Sequence, residues 1–292
     1  MGYTELDRPP LSARALTRAL VVPGGLWSKF DVRDETGSTN ADAAAAAAAG
    51  APEGLVVVAE SQLAGRGRRD RQWTSPPRAG LTVSVLLRPG STGRTERSEG
   101  REGMPEPHGP GVPPSAYGWL PLLAGVALVE AVARIGEVES ALKWPNDLLI
   151  DERKCAGILA EVAGDAVVIG IGVNVSTRAD ELPETTGVPA TSLLVAGAAS
   201  TDRSPLLRAL LRSMARWYEG WREAGGDAEM CGLLAAYQRH CATIGRRVRV
   251  LLPGGAERTG EAVTVDSDGQ LVIRTEEGVE FRVSAGDVLH VR

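Results

Sequence analysis

The chain is poor in residues that cross-link or bind metals. Its 292 positions hold three cysteines, Cys155, Cys231 and Cys241, and three histidines, His108, His240 and His290. The cysteine count is odd and contains no CxxC pair, which argues against a disulfide framework and fits a reducing compartment. A zinc cluster would be short of ligands. A basic excess is also missing. The formal net charge is −5, whereas a general nucleic-acid coat needs a cationic surface to neutralise phosphates, so any basic site must be local. No apolar run reaches the roughly 18 residues of a bilayer span, and the opening MGYTELDRPP is acidic and polar, unlike a signal peptide. A soluble, cytoplasmic protein without a membrane role is expected.

What is present suits an ordinary globular protein. A hydrophobic content of 43% can bury a sizeable core, and the length fits one large domain or two unequal ones. Residues 11–20 have apolar positions at helical spacing and stop at VVPGG. In GSTNADAAAAAAAG, the capping residues Ser38, Thr39 and Asn40 precede an alanine run that ends at Gly50, so a helix starts there with its amides and hydroxyls turned toward whatever lies before it. GLVVVAES (54–61) and GLTVSVLLRP (80–89) read as strands. From Pro89 to Pro114, glycine and proline crowd a stretch with almost no apolar content, and a disordered insertion spanning about 89–116 is expected.

Residues 120–136 predict a long helix buried against a sheet. Three strands follow, LLI (148–150), CAGILAEV (155–162) and AVVIGIGVNV (166–175); their short connections demand antiparallel neighbours. Residues 204–225 predict a second long helix, with Trp217 and Trp221 on one face. After Thr243 short alternating strands with Gly-containing turns predict a small β-barrel. The domains expected are therefore a leader over 1–30, a catalytic domain over 31–240 and a barrel over 241–292.

The segment GRGRRDRQW (65–73) sets four arginines among glycines between two strands. Such a loop can be a solvated basic surface, a grip on nucleic acid, or a mobile lid over a small anion. Two other segments favour the lid. In LKWPNDLLI, Lys143 is held between a bulky aromatic and the rigid Pro145–Asn146–Asp147 turn, and a fixed ammonium is what two anionic reactants require. In RKCAGILAEV, Lys154 precedes small residues that allow close backbone approach, and GIGVNV sets Gly170, Gly172 and Asn174 on one strand face.

In their order along the chain, GSTN, ESQLAGRGRRDRQW, KWPNDLLI, RKCAGILAEV, IGIGVNV and the tail VSAGDVLHV resemble the biotin protein ligases, over roughly residues 30–290. The likeness is to members without an N-terminal DNA-binding domain, so no DNA partner is expected. It implies an α+β fold: a mixed, mostly antiparallel sheet with packed helices, like class II aminoacyl-tRNA synthetases and biotin–lipoate ligases, plus a Src-homology-3-like barrel. It also implies activation of biotin by ATP to biotinyl-5′-AMP, with Mg²⁺, and transfer to a lysine of the biotin carboxyl carrier domain of an acyl-CoA carboxylase.

Residue by residue, the resemblance assigns Lys143 and Arg68 to catalysis. Ser38, Thr39, Asn40, Gln62, Gly65, Arg66, Gly67, Arg68, Trp73 and Lys143 fall to biotin, and Arg69, Arg71, Asn146, Lys154 and Asn174 to ATP. It assigns no metal ligand. Asp70 departs from the family pattern, which has glycine there. A lipoate ligase and a non-enzymatic anion- or nucleic-acid-binding module are the rival readings, and dimerisation through an edge strand is left open.

Overall fold

The computed structural model describes residues 8–69, 71–91, 111–184, 187–252, 255–284 and 286–291. A seven-stranded sheet is built from β1 (Lys29–Arg33), β2 (Leu55–Ala59), β3 (Gly80–Leu87), β4 (Ala141–Lys143), β5 (Asp147–Ile150), β6 (Arg153–Ala163) and β7 (Ala166–Asn174), in the spatial order β1-β2-β3-β7-β6-β5-β4. Only β1 and β2 run parallel; the other neighbours are antiparallel, as the short connections require. The β5–β6 turn places Asp151 and Glu152 at positive φ, and the β6–β7 turn places Gly164 there.

Strand alternation gives the sheet two unlike faces. On one face, Val83, Val85, Ile158, Ile169 and Ile171 join a core with α3 (Trp119–Gly136) and α4 (Arg203–Glu223). With the sheet on one side and α4 on the other, α3 buries 13 of its 18 residues. Contrary to expectation, Pro114–Gly136 is long and apolar enough by length and composition to cross a membrane, but 67% of its apolar window is buried inside the protein. The opposite face is covered over β2, β3 and β7 by α2 (Thr39–Ala48), whose Ala43 and Ala47 pack on Val57, Leu86 and Val168. Beyond α2 that face is floored by Gly170, Gly172 and Gly157.

The segment read as a leader is sewn into the same core. In α1 (Ala13–Leu20), Leu16 and Leu20 are buried with Leu11 and Trp27. Glu60 accepts from the Leu11 amide at 2.5 Å and pairs with Arg203 at 2.5 Å, and Arg203 also donates to the Pro9 carbonyl at 2.6 Å. The ends of the expected insertion are ordered as well: the Val112 amide donates to Pro89, and Val112 is 1% exposed. The middle of that stretch, 92–110, lies outside the described residues.

After α5 (Leu233–His240) come β8 (Arg247–Leu251), β9 (Glu257–Val265), β10 (Leu271–Arg274), β11 (Glu280–Val283) and β12 (Asp287–His290). They form an antiparallel sheet in the order β11-β10-β9-β8-β12. Its Asp268–Gly269 turn docks on the larger unit, where Trp119 Nε1 donates to Ser267 O at 2.6 Å and Trp144 Nε1 to Gly269 O at 3.1 Å.

Candidate active site

The glycine floor is a consequence of β6–β7 register, which sets Gly157 opposite Gly172 and Leu159 opposite Gly170. Each missing side chain is replaced by a neighbour. Asn40 lies over Gly170, where a Cβ would come within 2.1 Å of Asn40 Oδ1, and the Trp73 indole lies over Gly172, 2.4 Å from such a Cβ. Trp73 Nε1 is buried and has no hydrogen-bond partner among the described residues. It borders a cavity shared with Gln62, Ser75, Gly80 and Thr82.

The N-terminus of α2 stands at this floor because Ser38 caps it, accepting from Ala41 N. Thr39 N donates to Gln62 Oε1 at 2.8 Å, and Ser84 of β3 lies 2.8 Å from Thr39 Oγ1 and 2.6 Å from Asn40 Oδ1. Asn40 Nδ2 donates to Glu161 at 2.6 Å. Thr39 and Asn40, next to the Ser38 cap, therefore meet Ser84 and Gln62 in one polar cluster.

The arginine loop closes over the floor. Trp73 N donates to Gly65 O at 2.9 Å, an approach only glycine permits, since a Cβ at Gly65 would stand 2.3 Å from Trp73 O. Gly67 N donates to Arg71 O at 2.6 Å. Each arginine has a partner: Arg66 pairs with Glu161 at 3.1 Å, Arg68 donates to Asn146 Oδ1 at 3.1 Å, Arg69 meets Asp287 at 3.2 Å and Leu251 O at 2.7 Å, and Arg71 pairs with Asp287. Positive φ falls on Arg69, at 53°; Asp70 lies outside the described residues. Burial pushes the Arg68 guanidinium below its ordinary range.

Lys143 ends β4 next to the cis Trp144–Pro145 bond and is 8% exposed. Its ammonium has no ion-pair partner among the described residues. Burial lowers its pKa, Asp147 raises it, and Lys154 lowers it again. Asp147 itself is engaged by Lys154 at 2.7 Å. The turn is braced from the C-terminal sheet: Trp144 N donates to Thr243 Oγ1 at 3.0 Å, and Thr243 lies 3.1 Å from His290 Nε2. Asn146 Nδ2 donates to Ile158 O at 3.0 Å, which fixes the amide that holds Arg68.

The Asn174 amide is committed to Thr191 O at 2.9 Å; the Lys154 backbone binds the same segment through Pro189 and Thr191. Sequence reasoning passed over Glu161, Asp287 and Thr243. Glu161 and Asp287 stood inside quoted motifs, and an acid within a strand that also carries the site's glycines was the available signal. Among the described residues no group of three or more His, Cys, Asp or Glu is placed to hold a metal; Mg²⁺ needs only one or two carboxylates together with the phosphates of ATP.

Residues 36–99 and 107–174 match the Biotin/lipoate A/B protein ligase family, and residues 243–291 match the Biotin protein ligase C terminal domain. The chain is 42% identical to the biotin–[acetyl-CoA-carboxylase] ligase of Mycobacterium tuberculosis, covering 98% of this chain and 97% of that one. It is 31% identical to the bifunctional ligase/repressor BirA of Bacillus spizizenii, over 97% of this chain and 81% of that one. Among solved structures it resembles the biotin protein ligase from Aquifex aeolicus in complex with biotin and ATP, with a TM-score of 0.69 and 27% identity over 91% of this chain and 100% of that one.

Proposed function

Since the chain belongs to the biotin protein ligase family, we propose that its glycine-floored site performs both half-reactions of protein biotinylation. The chain is an ATP-dependent ligase that activates biotin to biotinyl-5′-AMP and transfers biotin to a carrier lysine. The observation that carries this assignment is Lys143, a buried ammonium without an ion-pair partner among the described residues, beside a loop of four arginines. In the first half-reaction the biotin carboxylate attacks the α-phosphate and pyrophosphate leaves. Two anions must meet, and away from water a fixed cation counts for several times its value in solvent.

In this reading Lys143 neutralises the carboxylate and the bridging oxygen. Arg68 folds over the adenylate, with Gly65 and Gly67 permitting the loop's tight path, and excludes water from a reactive mixed anhydride. The ureido ring takes the cluster of Ser38, Thr39 and Gln62 with Asn40 and the Arg66 segment, and Trp73 covers it. Arg69, Arg71, Asn146 and Lys154 serve the nucleotide; Asn174 supports that side through the segment it holds. The acceptor is the biotin carboxyl carrier domain of an acyl-CoA carboxylase, and the place of work is the cytoplasm. Residues 31–240 are the catalytic domain and 241–292 the C-terminal one.

The test is exchange of labelled pyrophosphate into ATP, run with biotin and with lipoate. Biotin-dependent exchange is expected; exchange with lipoate alone would make the chain a lipoate ligase. No exchange together with salt-dependent nucleic-acid binding would make it a binding module.

A further inference from the structure

The face of the sheet that carries the glycine floor also carries an acid, Glu161, two and four positions along β6 from Leu159 and Gly157. Its Oε2 is 2.6 Å from Asn40 Nδ2 and 3.1 Å from Arg66 Nη2, and the Leu159 carbonyl lies 3.4 Å from the same Asn40 nitrogen. A carboxylate and a carbonyl have only lone pairs to offer. Asn40 must therefore turn its NH₂ toward β6 and its oxygen the other way, toward Ser84.

From that orientation the protons can be counted. Asn40 Oδ1 lies 2.6 Å from Ser84 Oγ, Ser84 Oγ 2.8 Å from Thr39 Oγ1, and Thr39 Oγ1 3.0 Å from Gln62 Oε1. Gln62 cannot reverse its amide, because Oε1 also accepts from Thr39 N at 2.8 Å. Four oxygens make three close contacts, and only two hydroxyl protons, those of Ser84 and Thr39, are available to fill them. Ser84 gives its proton to Asn40. Thr39 then leaves either Ser84 or Gln62 facing an oxygen with no proton between. Ser84, Thr39 and Asn40 are 0%, 4% and 4% exposed, whereas Gln62 is half-buried and lines the cavity, so the shortage is relieved only by a donor that enters from the Gln62 end.

We propose that Glu161 is a positioning residue that keeps this oxygen row one proton short and thereby makes the site demand a ligand N–H. The inference rests on the biotin-ligase reading and adds a specificity device to it. A ureido N–H donating to Thr39 Oγ1 or Gln62 Oε1 completes the row, whereas a dithiolane ring has no N–H and leaves the contact unrelieved. Without the acid, only the long 3.4 Å contact to the Leu159 carbonyl opposes a flip of Asn40 that presents its NH₂ to Ser84. The row then satisfies itself, and the ligand loses its advantage.

The test is biotin affinity by calorimetry, without ATP, for the unaltered protein, Glu161→Ala, Glu161→Gln, Ser84→Ala and the Glu161→Ala/Ser84→Ala double variant. Glu161→Ala is expected to weaken biotin by about tenfold or more, within the discrimination that unpaired polar groups give. Glu161→Gln, which keeps an acceptor for Asn40, should stay within about threefold. In the Ser84→Ala background, removing Glu161 should change affinity by less than about twofold, because the row is already broken. Equal losses in the Ala and Gln variants, or a loss that persists undiminished without Ser84, would overturn the proposal. If Glu161→Ala does not fold, Ser84→Ala carries the same expected loss, and unchanged affinity there overturns it as well. Failure of the unaltered protein to bind biotin refutes the ligase reading; binding that is indifferent to Glu161 refutes this inference alone.

Discussion

At the scale of single residues, the site depends on how far burial has moved Lys143 from an ordinary lysine. Its folded pKa lies below the 10.5 of a solvated side chain, chiefly through burial, with Asp147 opposing. The cationic form that cancels reactant charge is lost as pH rises through the lowered value. Pyrophosphate exchange should therefore decline with rising pH at a midpoint below 10.5 and return as pH is lowered again. Lys143→Met should reduce exchange by about 10²–10³-fold, the usual cost of removing a preorganised charge donor, and abolish that alkaline limb. An alkaline limb unchanged in the variant would assign it to another group. Lys143 was legible in the sequence because an aromatic and a proline fix the backbone beside it. For Glu161 the acid beside the site's glycines was legible but its role was not, since nothing local shows that it faces Asn40, 121 residues away.

At the scale of elements, the arginine loop is held from two sides. Arg66 and Arg68 reach the catalytic sheet through Glu161 and Asn146, while Arg69 and Arg71 share Asp287 at the start of β12. The Arg66 and Arg71 side chains are 48% and 62% exposed, so each pair alone is worth little, about 0–1 kcal/mol. Their sum decides whether the loop stays closed when no anion holds it. Asp287→Asn should leave the loop's C-terminal-sheet side held only by the bond from Arg69 to the Leu251 carbonyl, and limited trypsin digestion of the ligand-free protein should cut within 66–71 several-fold faster than in the unaltered chain. An unchanged cutting rate would mean that the Asp287 contacts do not restrain the loop. The loop and strands β2, β3, β6 and β7 could be read from sequence, because glycine spacing and runs of β-branched residues are local signals. Strands β1 and β4 and helix α5 could not. β4 has three residues and α5 eight, too few for a period to stand out, and β1 mixes charge with its apolar positions. The spacing of Leu16 and Leu20 announced a helix face, but that α4 and β1 cover it is a long-range fact.

At the scale of the whole molecule, the C-terminal sheet is joined to the catalytic unit through the turn that carries Lys143. Thr243 Oγ1 accepts from Trp144 N and lies 3.1 Å from His290 Nε2; with the ring proton on Nδ1, the neutral imidazole accepts the Thr243 hydroxyl proton at Nε2. Burial, then Lys143, then Arg246 push the His290 pKa down to about 4. With a folded value below the ordinary 6.5, the contribution is fully present above pH 6.5 and is lost as pH falls through about 4, because the unfolded chain takes up the proton first. Acid should therefore weaken the joint between the two units from within, by placing a second cation beside Lys143 and removing the acceptor from Thr243. Thermal midpoints measured at pH 7 and pH 4.5 should fall further in the unaltered protein than in His290→Gln, whose carboxamide can still accept from Thr243 but cannot take up a proton. The carboxylates that titrate in this range are common to both chains, so the difference between the two losses isolates the imidazole. Equal losses would mean that His290 is not the group through which acid acts on the joint.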